Sequence, residues 1–158
     1  MIISTVLSFS SCCNNQEQTS NMAQTDPLNV NKKITIQAKN KKFICSDGSL
    51  GDTVYANRDV ASTWETFELI TIDSNKIHIK NHLGKFVCVD ENAGGKCIAN
   101  RDLAQGWETF ILKNISDSTY TIQNQAGLYF SLDQNQNGMI IANQKEVGEL
   151  EKFIIKFL

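Results

Sequence analysis

Arginine–aspartate pairs recur at a fixed spacing in this chain and are well suited to bind a polar ligand. Arg58-Asp59 and Arg101-Asp102 lie 43 residues apart. A guanidinium is a planar group with five donors, and a neighbouring carboxylate accepts, so the pair can hold the hydroxyl groups of a ligand from two directions. The same arginines can instead form a clamp with carboxylates of neighbouring loops, and the sequence leaves both interpretations open.

Turns rich in Asp, Asn and Gly supply further polar groups at the same period. They span residues 47–52, 90–95 and 133–138, and each begins with an aspartate. Asp side chains commonly cap their own turns, which is one explanation of the pattern. The other is that amides and carboxylates at loop tips bind a hydroxyl-rich ligand. On that interpretation the candidate binding residues are Asp47, Asn57, Arg58, Asp59, Asp90, Asn92, Asn100, Arg101 and Asp102.

Carboxylates with catalytic potential also recur, but their pattern argues against catalysis. Glu65, Glu108 and Glu151 share one repeat position. Catalysis needs two groups in complementary protonation states near one substrate, whereas symmetric copies hold identical groups far apart, so we expect each glutamate to bind nearby backbone amides. The chain contains no Gly-x-Ser-x-Gly, His-Glu-x-x-His, P-loop or Cys-x-x-Cys pattern. The sequence therefore predicts a protein that is not an enzyme and binds neither metal nor cofactor.

Three copies of one segment must position these residues. The copies are residues 30–72, 73–115 and 116–158, each 43 residues long, with no gap between them. Each starts with alternating apolar residues and continues with short apolar runs separated by polar turns, a pattern typical of four short strands. Twelve antiparallel strands in three equivalent units predict an all-β fold, the β-trefoil, in which three hairpins cap a six-stranded barrel. A propeller needs at least four blades, and an open solenoid needs capping repeats.

Large apolar residues at repeated positions are expected to fill the core. Trp64 and Trp107 each precede Glu-Thr-Phe at one repeat position, where Leu150 stands in the third copy. This pattern favours packing between the hairpins, although exposed indoles would stack on sugar rings. The predicted core residues are Phe43, Trp64, Phe67, Phe86, Trp107, Phe110 and Phe153.

The cysteines of the repeats occupy apolar strands. Cys45 and Cys88 share one repeat position, two residues after a phenylalanine, and alternation predicts that both are small buried groups. Cys88 and Cys97 lie on the two strands of one hairpin, where a disulfide is the alternative to two free thiols.

The first thirty residues indicate where the domain is located. In residues 1–11 an apolar stretch ends in Ser10-Ser11 before Cys12, similar to a truncated bacterial lipoprotein signal in which this cysteine is acylated. The alternative is a slightly apolar, frayed terminus. Residues 12–29 have the composition of a flexible tether. No run of 18 apolar residues occurs, so we expect attachment to the cell envelope by a lipid anchor only.

The charge balance excludes one class of partner. The formal net charge is -2 with mixed signs, which does not predict nucleic-acid binding. The one basic cluster, in residues 32–42, is typical of a solvated strand edge.

The motifs of the three copies resemble the fascin-type β-trefoil repeat. The resemblance covers residues 30–158 and rests on F-x-C/S-x-D followed by A-N-R-D-x-A-x-x-W-E-x-F. It implies the trefoil fold and, by analogy with modules of secreted bacterial proteins and glycoside hydrolases, carbohydrate binding. The chain departs from ricin-type trefoils because it has no Gln-x-Trp motif. Animal fascins bundle actin through several tandem domains, whereas this chain contains one.

These observations predict a non-catalytic, lectin-like module that binds a poly- or oligosaccharide through the hairpin loops of copies one and two. The alternative is a scaffold that docks to a protein partner through one trefoil face, for which the apolar runs 128–130 and 139–141 of copy three are candidates. Actin or filament binding rests on the resemblance alone.

Overall fold

The computed structural model describes residues 31–158, which form twelve strands and three short 3-10 helices. The strands are β1 (Asn31–Gln37), β2 (Phe43–Ser46), β3 (Val54–Arg58), β4 (Thr66–Thr71), β5 (Lys76–Lys80), β6 (Phe86–Asp90), β7 (Lys96–Arg101), β8 (Phe110–Ser116), β9 (Thr119–Gln123), β10 (Tyr129–Asp133), β11 (Met139–Gln144) and β12 (Phe153–Phe157). The 3-10 helices are Gly48–Leu50, Glu91–Ala93 and Gly106–Glu108. The predicted all-β fold is confirmed.

Six strands close a barrel in the order β1-β4-β5-β8-β9-β12, with β12 pairing back onto β1, and every pairing is antiparallel. Ile34 of β1 illustrates the closure, since it lies opposite Phe67 of β4 and Phe157 of β12. Alternate residues of each strand point inward, as the period-2 pattern requires. Phe67, Phe110 and Phe153, one from each copy, are at most 1% exposed and fill the centre of the core.

The other strands form three hairpins, β2–β3, β6–β7 and β10–β11, that cap one end of the barrel. Each hairpin turn reaches the next hairpin, so that backbone hydrogen bonds join the three copies in a ring. These bonds run from the Ala56 N–H to the Gly138 carbonyl oxygen (2.7 Å), from the Ala99 N–H to that of Asp52 (2.8 Å) and from the Ala142 N–H to that of Gly95 (2.7 Å). The trefoil cap is therefore one interlocked unit.

This close approach of backbones explains why alanine recurs in every copy. Ala56, Ala99 and Ala142 are each 1% exposed. A Cβ atom added at Gly138 would lie 2.5 Å from the Ala56 carbonyl oxygen, and one added at Gly95 would lie 2.6 Å from that of Ala142. At these two contacts a larger residue would force the hairpins apart, whereas the third contact accommodates Asp52 at the same repeat position.

The opposite end of the barrel is open to solvent and is built from turns between copies. Strand β4 leads away from the hairpins into the turn at residues 72–75, and β8 leads into the turn at residues 117–118. The start of β1 and the end of β12 complete this end, where the Leu158 N–H donates to the Lys33 carbonyl oxygen (3.0 Å).

The thiols of the second hairpin do not meet. In the β6–β7 register Cys88 lies opposite Ile98, and Cys97 lies opposite Val89. Side chains of successive residues point to opposite faces of a strand, so the two sulfurs face different sides of the hairpin. Cys45, Cys88 and Cys97 are all free and buried, and the disulfide alternative is wrong.

The N-terminal predictions fall on other residues. The signal segment, Cys12 and the tether lie outside residues 31–158. Between residues 31 and 158 no helix is long and apolar enough to cross a membrane.

Candidate functional site

A groove of about 590 Å³ runs along the loops of copy two and gathers several of the predicted binding residues. It is lined on one side by Asp90 and Asn92 of the first turn and on the other by Arg101, Asp102 and Trp107. Gln105, Leu103 and Glu91 also contribute to its walls. Copy two thus brings together Asp90, Asn92, Arg101 and Asp102, whereas Asn100 is exposed outside this lining.

The fold fixes the two walls by local hydrogen bonding. The Asp90 carboxylate accepts the Asn92 N–H (3.1 Å) and so caps the 3-10 helix Glu91–Ala93. The opposite wall of the groove begins at Arg101, where β7 ends, and continues to the 3-10 helix Gly106–Glu108. There the Glu108 carboxylate accepts the Gln105 N–H (2.9 Å) and closes the loop back on itself. Both walls are therefore held by hydrogen bonds within the protein.

Trp107 projects from this second loop and is 60% exposed, and Trp64 in copy one is 46% exposed. The prediction that both indoles pack in the core is wrong. The physical reason is the adjacent glutamate, which turns inward to satisfy backbone N–H groups of the loop, and Glu108 is only 5% exposed. The preceding side chain lies at the edge of the core, where the large indoles stay exposed and the smaller Leu150 of copy three is partly buried. Phe43 and Phe86, also predicted in the core, are half-buried at its edge.

The recurring glutamates bind backbone amides in all three copies. The Glu65 carboxylate accepts the Ser62 N–H (2.8 Å), and that of Glu151 accepts the Gly148 N–H (2.7 Å). Both side chains are at most 6% exposed. A buried carboxylate needs such donors because its desolvation is costly. These residues hold the loops in shape, as the sequence pattern predicts.

In copy one the equivalent arginine is engaged within the protein. Arg58 Nη2 donates to Asp47 Oδ2 (3.0 Å), and its Nε lies 3.7 Å from Glu65 Oε1. Asp47 is 8% exposed, and hydrogen bonds from the hydroxyl and N–H of Ser49 lower its pKa. The clamp interpretation of the arginine therefore describes copy one.

Copy two leaves its arginine more accessible. Among the described residues Arg101 is within 4 Å of one carboxylate, with Nε 3.8 Å from Glu108 Oε1, and its side chain is 54% exposed against 40% for Arg58. Arg101 lines the groove, and no salt bridge joins it to Asp90 among the described residues. The two copies thus share residues but differ in how much of the guanidinium a ligand can reach.

The aspartates that follow the arginines bind lysines. Asp59 pairs with Lys42, and Asp102 pairs with Lys85. Both carboxylates are 80% exposed, so these are surface pairs of small energetic value. Asn57 turns inward instead, where its Oδ1 accepts from the Cys45 thiol (3.3 Å). In copy one Asp59 and Asn57 are thus each bound to another side chain of the protein.

A second groove of about 490 Å³ lies on the other side of Trp107. It is lined by Asn124, Gln125 and Ala126 of the β9–β10 turn together with Gly106. In copy one the equivalent of Gln125 is His82, whose ring stacks on Trp64 with centroids 5.9 Å apart and an interplanar angle of 7°. That histidine lies over part of one face of its indole. In copy two a smaller amide side chain leaves the ring of Trp107 open.

We expect the thiols near the site to react slowly in the folded state. Burial raises the pKa of Cys88 and Cys45 and raises that of Cys97 further. A thiol, unlike a thiolate, is a poor nucleophile and a poor metal ligand. Within residues 31–158 no group of three or more His, Cys, Asp or Glu side chains is placed to hold a metal ion.

The apolar runs of copy three do not form an exposed patch. Phe130, Met139 and Ile140 are at most 6% exposed, and Tyr129 is half-buried. These side chains fill the core of the third hairpin. The sequence reasoning missed Gln105 and Gln125, whose polar side chains flank Trp107, because neither recurs in the other copies.

Residues 73–156 match a family model described as Domain of unknown function (DUF7910). No curated protein matches this chain in sequence.

Solved structures similar to this chain are β-trefoil proteins. One is ThreeFoil, a designed 3-fold symmetric protein (TM-score 0.67, 13% identity, 78% of this chain and 96% of that chain). Another is SeviL bound to asialo-GM1 saccharide (TM-score 0.64, 18% identity, 80% and 98%). A third is a Polyporus squamosus lectin bound to the epitope Neu5Aca2-6Galb1-4GlcNAc (TM-score 0.69, 14% identity, 80% and 49%). This chain thus spans about half the length of the Polyporus lectin. At these identities the likeness shows the fold alone.

Proposed function

The chain belongs to the DUF7910 family, and from its fold and loop geometry we propose that it is a non-catalytic carbohydrate-binding module whose principal site is the groove of copy two. The observation that carries this proposal is the exposed Trp107 indole beside the accessible Arg101 in one preformed groove. Two structural neighbours with the same fold, SeviL and the Polyporus squamosus lectin, were solved with bound saccharides, which supports it.

The residues of the groove suit a sugar chemically. An indole face offers a large, rigid apolar surface at low entropic cost, on which the C–H face of a pyranose ring can lie. Arg101 supplies donors, the carboxylates of Asp90 and Asp102 accept, and the amide of Gln105 does both. The groove would therefore bind a sugar ring, which has an apolar face and an edge of hydroxyl groups, in preference to a wholly apolar ligand. Because the groove is open, we expect dissociation constants of order 0.1–1 mM.

Copy one would bind more weakly. Its Arg58 already donates to Asp47, and its Trp64 is stacked on His82, so a ligand would have to displace contacts within the protein. Two sites on one rigid body would still strengthen binding to a polymer, because the second contact becomes intramolecular.

A glycan and polysaccharide array with the full chain tests the proposal. For a glycan that binds, titration calorimetry then compares Trp107→Ala and Arg101→Ala with matched variants at the same repeat positions of copy one, Trp64→Ala and Arg58→Ala. We expect each copy-two variant to weaken binding at least tenfold, while each copy-one variant changes it by less than about threefold.

Two outcomes would contradict the proposal. An array without any signal from a cooperatively folded chain would remove carbohydrate as the ligand. A loss of binding that is equal in all four variants would remove the assignment to copy two. Thermal melts of each variant separate loss of a contact from loss of the fold.

Absence of catalysis is part of this proposal. Glu108 is buried and accepts the Gln105 N–H, whereas Asp102 pairs with Lys85 at the surface, and we expect Asp90 and Asp102 to accept hydrogen bonds from sugar hydroxyl groups and not to transfer protons. A glycosidase needs two carboxyl groups flanking the scissile bond in different protonation states. Prolonged incubation with the bound glycan, followed by chromatography of the sugar, should show no shortened product.

Export and lipid attachment at Cys12 also remain our proposal. They rest on the apolar stretch before this cysteine in residues 1–11. Expression in a bacterium with radiolabelled palmitate should label the full chain and not its Cys12→Ser variant. Label retained by that variant would contradict acylation at this residue.

A further inference from the structure

Exposed apolar side chains encircle the open end of the barrel. Ile72, Ile115 and Leu158 lie at one repeat position, 43 residues apart, and are 45%, 44% and 67% exposed. Phe157 beside them is 42% exposed, and its ring meets that of Tyr120 edge-on with centroids 6.3 Å apart. We call Ile72, Ile115, Phe157 and Leu158 the apolar ring. Single exposed apolar residues are ordinary, but one at the same corner of each copy makes a repeated surface.

Most charged residues near the apolar ring are lysines. The exposed lysines near the strand ends that meet here are Lys32, Lys76, Lys113 and Lys156. Lys32 Nζ lies 5.2 Å from the centre of the Phe157 ring, and the Lys76 carbonyl oxygen accepts the Ile72 N–H (2.8 Å). The exposed acidic residues beside the ring are Asp73 and Asp117. This end is therefore basic although the whole chain carries a formal net charge of -2.

The position of the apolar ring relative to the start of β1 and to the groove also bears on what this surface could bind. Strand β1 begins at Asn31, opposite Ile70 on β4, so the thirty preceding residues join the domain at this same end. The copy-two groove lies among the loops that follow the hairpins, at the other end of the barrel. A surface that held the open end would leave the groove facing away from it.

We propose that the apolar ring docks the domain onto an anionic lipid bilayer. The apolar tips insert at the boundary between headgroups and acyl chains, and the lysines around them bind lipid phosphates while their stems lie along the apolar surface. Each lysine near an anionic membrane adds to binding, and the contribution falls with salt because surface charges are screened within about 8 Å at physiological ionic strength. An acidic protein surface is the alternative occupant, and in that case the vesicles would not bind.

Vesicle co-sedimentation tests the docking surface. The full chain is used with Cys12→Ser, so that no acyl chain contributes, and is mixed with vesicles of phosphatidylcholine or of phosphatidylcholine with one part in three of phosphatidylglycerol. The test variant is Ile72→Ser/Ile115→Ser/Phe157→Ser. The matched control is Val60→Ser/Leu83→Ser/Val147→Ser, three exposed apolar residues away from the ring.

We expect the chain to bind the anionic vesicles, with a partition coefficient at least tenfold lower for the test variant and unchanged within about twofold for the control. Phosphatidylcholine alone should bind less, and raising the salt to about 0.5 M should weaken binding to the anionic vesicles. Failure of the chain to bind anionic vesicles would overturn the proposal, as would an equal loss in the control variant. Cooperative melting of both variants verifies that they are folded.

Discussion

The Ser131 hydroxyl donates a 2.6 Å hydrogen bond to Glu151 Oε1, at the place where copies one and two use an arginine. Ser131 stands where those copies have Cys45 and Cys88, and Gln144 stands where they have arginine. The divergent copy thus keeps its buried carboxylate and exchanges the group that binds it. Two residue changes that look unrelated along the chain belong to one interaction.

Replacement of Ser131 should destabilise the fold, because the buried Glu151 carboxylate depends on its hydroxyl group. Ser131→Ala leaves one oxygen of a buried carboxylate without its donor, so we expect a loss of about 1–3 kcal/mol in the free energy of unfolding. Adding Gln144→Arg should restore part of it, since Arg58 and Arg101 at that position lie 3.7 and 3.8 Å from their glutamates. A double-mutant cycle by urea denaturation measures the coupling. Strict additivity would show that the two positions act separately.

Glycines at the hairpin turns should differ sharply in their tolerance of alanine. Gly138 and Gly51 both have positive φ, 79° and 69°, so alanine is strained at either position. Only Gly138 also faces a backbone oxygen, which an added Cβ would meet at 2.5 Å, whereas nothing lies within 4 Å of one added at Gly51. We expect Gly51→Ala to cost about 1 kcal/mol and Gly138→Ala about 2–4 kcal/mol, because a steric clash is added to the strain. Equal costs in chemical denaturation would contradict the ring of close contacts.

Aromatic residues three positions apart should contribute very differently to stability. Trp107 is 60% exposed, and Phe110 is fully buried. Trp107→Ala should therefore change the free energy of unfolding by less than about 1 kcal/mol, while Phe110→Ala should cost about 3–5 kcal/mol. Denaturant titrations of both variants provide the comparison. A large loss for Trp107→Ala would restore its assignment to the core.

Acid should destabilise the fold through carboxyl groups that the native state keeps ionised. Hydrogen bonds from Ser49 lower the pKa of Asp47, and hydrogen bonds from Lys152 and then Lys39 lower that of Glu149 to about 2. Both carboxyls bind protons more weakly in the folded than in the unfolded chain. Their contribution is complete above the unfolded pKa, about 4, and is lost as the pH falls toward the folded values.

Protonation of His78 should begin the loss of stability at a higher pH. Burial lowers the pKa of its imidazole, so the unfolded chain takes up this proton first and stability falls as the pH drops below about 6.5. Urea midpoints at pH 7.5, 5.5 and 3 should decrease in that order. His78→Gln should flatten the step between the first two, and Glu149→Gln the step between the last two. A midpoint that rises toward acid would contradict the assignment.

Accessibility of the thiols gives a kinetic test. Cys45, Cys88 and Cys97 are buried with raised pKa values. In a Cys12→Ser/Cys13→Ser background a thiol reagent should therefore modify them slowly in buffer and all at once in concentrated urea. Rapid modification of any of the three in the folded chain would show that its hairpin opens locally.

The repeats made the architecture predictable, because each period carries its own strand alternation and turn residues. The cap was also encoded, since Ala56 and its two equivalents recur wherever a neighbouring turn approaches. What a repeat cannot reveal is the direction of a loop side chain. Trp64 and Trp107 share their position with the half-buried Leu150, and that substitution suggested packing.

The structural differences between the copies of the site were harder to predict from the sequence than the features that the copies share. Asp47 and Asp90 both cap turns, yet only Asp47 also binds its arginine. That distinction depends on how closely two loops approach, which no residue type signals. Gln125 in place of His82 is likewise visible in the sequence, but its effect follows only once the fold sets it against Trp107.

The antiparallel pairing of β1 with β12 joins the two ends of the described chain in one closed barrel. Ile34 lies opposite Phe157, so β1 and β12 are paired neighbours in the barrel although they are far apart in the sequence. A short linker from residue 158 to residue 31, with a new opening in the turn at residues 72–75, would yield a circular permutant in which every strand keeps its partners. Copy two would then lead the polypeptide, and the order of synthesis of the copies would change while the pairing map did not.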